Sequence, residues 1–138
     1  MQSRMTVSQS SRIKAEDGEV TELSSLSPGC LRAGTLTYTE TTDGAKVYHR
    51  VTVAGDAVTV SRTGAVVSEI RFKVGETHTS LYRIPPYAFD MTVDTESLSV
   101  RHENGTLAIA LVFNSILGGS RQRTEMTITA MPREEGEK

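Results

Sequence analysis

The chain has 138 residues, a length that fits one domain able to bury roughly two thirds of the surface its unfolded form exposes. Seventeen acidic and fifteen basic side chains are interspersed and give a formal charge of -2, which excludes the strong basic balance expected of a nucleic-acid or anionic-membrane partner. Cys30 is the only cysteine, so no internal disulfide framework exists, and a reducing, cytoplasmic setting is the expectation.

The first twenty residues, MQSRMTVSQSSRIKAEDGEV, are polar and alternating, with no apolar stretch of the kind a signal peptide or membrane span needs. From there the chain is punctuated by turn formers at Gly18, Gly29, Gly44, Gly55, Gly64, Gly75, Pro85-Pro86, Asp94-Thr95, Gly105 and Gly118-Gly119. Steps close to ten residues between turn signals mark an antiparallel sandwich or barrel. The segments between them carry Val, Thr, Ile, Tyr and Phe without a helical period, and at most one helical turn is expected. Strands are predicted at 6–15, 20–26, 35–41, 46–53, 58–61, 66–73, 77–83, 88–93, 97–102, 106–114 and 121–130. These eleven collapse to eight to ten where neighbours merge across a kink. No repeat or low-complexity linker divides the chain, so residues 1–138 form a single domain with a core over about 5–131 and a frayed, charged tail at 132–138.

A meander of this many short strands leaves two unpaired edges unless it closes on itself, and closure into a barrel is the expectation. In the strand 106–114, Leu107, Ile109, Leu111 and Phe113 share a face that belongs inside, and Thr106, Ala108, Ala110 and Val112 belong outside. The stretch SLYRIPPYAFDMTV, residues 80–93, joins two alternating strands through a rigid Pro85-Pro86 corner whose isomer the residues leave open. Tyr87 beside that corner is expected to cover an end of the core.

A two-residue turn at Asp43-Gly44 pairs Thr42 with Ala45, and counting outward sets Glu40 opposite Val47, Tyr38 opposite His49 and Leu36 opposite Val51. The same count from Gly55-Asp56 sets His49 opposite Arg62. Tyr38, His49 and Arg62 then form a row across three strands on an otherwise apolar face, with Glu40 one step along as the counter-charge of Arg62. Two readings stand side by side: a satisfied polar plug, or a few convergent polar groups lining a ligand pocket. Arg62-Thr63-Gly64 equally suits a three-residue loop, which carries Arg62 to the rim.

The succession Tyr38-Thr-Glu40, Val58-Thr-Val-Ser-Arg62-Thr-Gly64, Phe72 followed by Gly75, Tyr82-Arg-Ile-Pro-Pro-Tyr87 and Gly105-Thr-Leu-Ala-Ile109 resembles the bacterial YwiB-like proteins. Those are small cytosolic barrels of the calycin type, classed as a domain of unknown function. The resemblance runs from about Met5 to about Met131 and implies a closed, mainly antiparallel barrel, lipocalin-like in shape. It supplies no catalytic residues, and the family usually shows a glycine where this chain has Ala88.

Other chemistry finds little support. His49, His78 and His102 lie at no spacing that sets two side by side on a strand, so neither a metal site nor a cofactor is expected. No nucleophile elbow is present, and Leu117-Gly118-Gly119-Ser120 reads as a hairpin turn. Arg121, Arg123 and Glu125 read as a solvated exterior, and Asp94, placed in a turn, makes no acid–base pair with Asp90. The leading expectation is a binding module for a small amphipathic or anionic ligand at the barrel mouth, with Arg62 as charge partner and Tyr38, Glu40, His49 and Tyr82 as polar walls. The alternative is an interaction barrel with a filled core, acting as a homodimer or an accessory subunit. An enzyme ranks third, with His49 as its general base. Interior volume separates the first two: roughly 300 Å³ or more favours binding, ordinary core density around Phe72, Ile109, Leu111 and Phe113 favours the alternative.

Overall fold

A computed structural model describes residues 3–133. Ten strands are present, β1 (Ser3–Ala15), β2 (Val20–Arg32), β3 (Thr35–Thr42), β4 (Ala45–Ala54), β5 (Ala57–Gly64), β6 (Ser68–Phe72), β7 (Thr77–Ile84), β8 (Tyr87–Glu103), β9 (Thr106–Leu117) and β10 (Ser120–Pro132). They form one antiparallel sheet in the order β6-β5-β4-β3-β2-β1-β10-β9-β8-β7. The two ends of that order meet where Val67 and Arg83 exchange backbone hydrogen bonds of 2.9 and 2.8 Å, which nearly closes the barrel. Closure removes the unpaired edges that a ten-stranded open sheet leaves.

Turn chemistry sets the registers. Asp43 and Gly44 both have positive φ, 52° and 79°, the backbone of a primed hairpin turn that matches the right-handed twist of its strands. Thr42 therefore pairs with Ala45, Glu40 with Val47, Tyr38 with His49 and Leu36 with Val51. From Gly55-Asp56 the pairing runs Ala54 with Ala57 through His49 with Arg62 to Val47 with Gly64. β5 thus continues straight through Arg62, and the alternative three-residue loop at Arg62-Thr63-Gly64 does not form.

Four expectations are corrected. Gly29 does not turn the chain: it lies inside β2, which runs six residues beyond its predicted end. Asp94-Thr95 is no turn either. The strands expected at 88–93 and 97–102 merge into β8 through a bulge between Thr95 and Ser97, with the Thr77 hydroxyl bonded to the Asp94 carboxylate. The third correction concerns the start of the tail: Pro132 pairs with Met5, and the Arg133 amide donates to Arg4 at 2.9 Å. The rest of the expected frayed segment, 134–138, lies outside the described residues. The Pro85-Pro86 bond is cis at the tip of the β7–β8 hairpin, Ala88 sits opposite Arg83 in ordinary strand geometry, and Tyr87 is 65% exposed instead of covering the core.

One half of the interior is filled. Leu107, Ile109, Leu111 and Phe113 all point inward and are buried, and they meet Val7, Leu36, Val51, Val58, Phe72 and Ile128 there. The Phe72 and Phe113 rings tilt against each other at 53° with centroids 4.8 Å apart. Each such side chain contributes about 1.5–3 kcal/mol on full burial.

Gly29 marks a place where the strands of the wall approach closely. A Cβ there would meet the Thr37 carbonyl oxygen at 2.6 Å and Val7 Cγ2 at 2.8 Å, so only a hydrogen lets β3 approach β2 and β1 this closely. Gly29→Ala is expected to destabilise the fold by about 1–3 kcal/mol through overpacking, read as a lower urea midpoint at constant slope.

Candidate functional site

The site begins where β2 and β3 part. They share only four residue pairs, from Gly29 with Tyr38 to Arg32 with Thr35. Residues 20–28 of β2 pair with β1 alone, and residues 39–42 of β3 pair with β4 alone. The wall opens between them, and inside lies a cavity of about 540 Å³. Leu23 shares the inward parity of β2 and lines this cavity, yet is 57% exposed because the gap leaves it uncovered.

The structure places Glu40, His49, Arg62 and Tyr82 together in the cavity wall. Tyr38 does not line it. Its ring lies behind His49, stacked at 4.5 Å with an interplanar angle of 3°, and its hydroxyl donates to Gln9 Oε1. Burial, opposed by the nearby Arg62 and reinforced by Glu40, pushes the Tyr38 phenol well above its ordinary range, so it stays protonated as a donor. Tyr38 is a platform that fixes the imidazole plane and orients Gln9, which does line the cavity.

The expected pairing of Glu40 with Arg62 is not formed. Glu40 Oε1 instead approaches His49 Nε2 at 2.7 Å, with Glu40 one quarter exposed and His49 almost fully enclosed. The contact is close but off-axis, since neither ring nitrogen has an aligned hydrogen-bond partner among the described residues. Burial first, and then the Arg62 charge, push the His49 pKa down to about 4, against an opposing pull from Glu40. The ring is therefore neutral near pH 7, and a proton on Nε2 facing the carboxylate leaves Nδ1 with a bare lone pair. Arg62 is half-buried, its Nε is shielded from water, and no acceptor for it is present among the described residues.

Sequence reasoning missed a second arc of polar groups. Ser11, Ser115 and Thr124, all buried, line the cavity with Gln9 and Gln122. Read alone, Ser and Thr in a strand suggest a solvated face. Parity was the available signal: Met5 and Val7 continue to Gln9 and Ser11, Phe113 to Ser115, and Met126 to Thr124, each along one inward row.

Outside the barrel, Glu96 accepts from Arg123 Nε at 2.9 Å and from Asn114 at 2.7 Å, which holds its carboxyl below the usual range. Arg123 also reaches Glu125 at 3.4 Å, a charge-paired surface of ordinary kind. No group of three or more metal-ligating side chains occurs among the described residues, and no helix there is long and apolar enough to cross a membrane.

A nearly closed, ten-stranded antiparallel barrel with one filled half and one hollow half is a calycin-like architecture. Residues 7–127 match the family described as Domain of unknown function (DUF1934), and the chain belongs to that family. Among solved structures it is similar to the one titled "Crystal structure of ywiB protein from Bacillus subtilis", at 25% identity and a TM-score of 0.79 over 96% of this chain and 94% of that one. No curated protein matches it.

The depressed His49 pKa has a sign that can be checked. Above pH 6.5 the imidazole is neutral whether the chain is folded or not, and its burial carries no protonation penalty. As pH falls from 6.5 towards about 4 the unfolded chain takes up the proton first, so stability is lost across that window, by at most about 3 kcal/mol. Urea titrations of the wild type and His49→Gln between pH 4 and 7 are expected to show a steeper acid loss in the wild type.

Proposed function

We propose that this protein is a binding module that holds a small amphipathic anion in the open half of its barrel. The observation that carries the reading is Arg62: a guanidinium in the wall of a 540 Å³ cavity, its Nε removed from water and given no acceptor among the described residues. A buried donor left unpaired costs about 1–3 kcal/mol, and a carboxylate or similar anion would satisfy it. His49 Nδ1, an acceptor without an aligned partner, suits a hydroxyl or amide donor beside that anionic group. Met91, Phe113 and Leu117 supply an apolar wall for the ligand's body, and Leu23 does so at the gap. Tyr82 and Glu40 complete the polar side. The cavity exceeds the roughly 300 Å³ at which ligand pockets begin.

The interaction reading, with a homodimer as its simplest form, draws on a different feature. Ile84, Tyr87 and Phe89 of the β7–β8 hairpin are exposed apolar side chains on one face, close in sequence and space. A cytosolic location for either role rests on the lone cysteine.

Native mass spectrometry on protein purified from its own host addresses both. The wild type is expected to carry a small molecule whose mass is absent from Arg62→Ala, and that mass begins the identification. A bare chain in both samples would remove the tightly held ligand, and a dimer in both would favour the hairpin surface.

A further inference from the structure

A second concave surface lies on the outside of the barrel, on the far side of the strand wall from the cavity, with His49 common to the linings of both. Cross-strand registers set Arg4 beside Cys30, Cys30 beside Thr37, Thr37 beside Arg50, and Arg50 beside Ser61, one row across β1 to β5. The Arg133 amide bonds to the Arg4 carbonyl, which brings a third arginine to the same end of the row. Together with Tyr48 these residues line a groove of about 700 Å³. No carboxylate lines it, and none of its three arginines has an ion-pair partner among the described residues. The nearest acid along the row is Glu69, one strand beyond, which accepts from Ser61 Oγ at 3.1 Å. In a chain of net charge -2, three exposed, unpaired guanidiniums around one groove are a local excess of positive charge.

The dimensions point to the ligand class. Arg4 and Arg50 stand about 14 Å apart at their Cα atoms, three inter-strand spacings, so their side chains can close on an anion between them. Hydroxyls of Thr37, Thr39 and Thr63 offer donors along the floor. Tyr48, half-exposed, stands over Gly64, where a Cβ would meet its Cδ2 at 3.3 Å. One side of the ring is thus supported and the other open for stacking. We propose that this groove binds a nucleoside diphosphate, with the phosphates between Arg50 and the Arg4–Arg133 pair and the base on Tyr48. Guanidinium forks match phosphate oxygens, and an aromatic face accepts any base.

Titration calorimetry of the full chain at low ionic strength, with ADP and with inorganic pyrophosphate as separate probes, tests this. ADP is expected to bind more tightly than pyrophosphate. Arg50→Ala and Arg4→Ala should each weaken both probes about tenfold, the loss of one charge-assisted contact. Tyr48→Ala should weaken ADP only, and Arg62→Ala, which alters the cavity, should change neither. No saturable binding, or binding indifferent to Arg50→Ala and Arg4→Ala, overturns the site. Pyrophosphate binding as tightly as ADP, with Tyr48→Ala silent, overturns the nucleoside part. A loss of both probes in Arg62→Ala would place the binding inside the barrel and overturn the groove.

Discussion

The wall of this barrel hangs on a seam of four residue pairs between β2 and β3. On either side the pairing is long: β1 and β2 run together from Ser3 with Leu31 to Lys14 with Val20, and β3 and β4 from Thr35 with Thr52 to Thr42 with Ala45. Where the two hairpins meet, a glycine admits the carbonyl of Thr37, and past that point they separate. Inward positions beyond the seam therefore face a cavity instead of a packed neighbour, which leaves room for polar side chains among the apolar ones. The positions in question hold Gln9, Ser11, Glu40 and His49 on the open side, against Met5, Val7, Leu36 and Val51 on the closed side. One backbone feature thus divides the interior into a packed half and a hollow half whose lining mixes polar and apolar side chains.

Within the hollow half the charges are arranged unequally. A carboxylate near a buried guanidinium ordinarily pairs with it, because the uncompensated cation costs several kcal/mol, roughly. Here Glu40 sits against an imidazole that burial keeps neutral, and Arg62 is left with no ion-pair partner among the described residues. Tyr38 holds that choice in place, since its ring stacks flat on His49 and its hydroxyl is tied to Gln9 on another strand. Rotating the imidazole towards Arg62 would break the stack. The binding reading proposed for the cavity rests on this locked asymmetry.

Much of this geometry could be read from residues alone, because two-residue turns leave no freedom of register. Asp43-Gly44 and Gly55-Asp56 fix which side chains face each other across β3, β4 and β5, and the row of Tyr38, His49 and Arg62 follows by counting. What failed was punctuation without turn geometry. Gly29 and Asp94-Thr95 carry turn-forming residue types, but the first is small to allow close approach of strands and the second sits beside a bulge. Rotamers were equally out of reach. Parity puts Glu40 on the same face as His49 and Arg62 but does not say which it touches, and it puts Tyr38 inward without saying that His49 covers it.

The same ladder that carries the inner row also explains why a net charge of -2 was a poor guide to local surfaces. Successive residues of a strand face opposite sides, so Tyr38, His49 and Arg62 line up inside while Thr37, Arg50 and Ser61 line up outside, one residue away. Cations at adjacent parities, such as Arg50 beside the inward His49 and Arg62 beside the outward Ser61, are separated by the thickness of the sheet and address different spaces. Elsewhere the acids are spent on neighbours: Glu96 on Arg123, and Glu76 on Arg71 and Lys73. A whole-chain balance averages those neutral pairs with the unpaired arginines of the two concave surfaces, and only the register separates them.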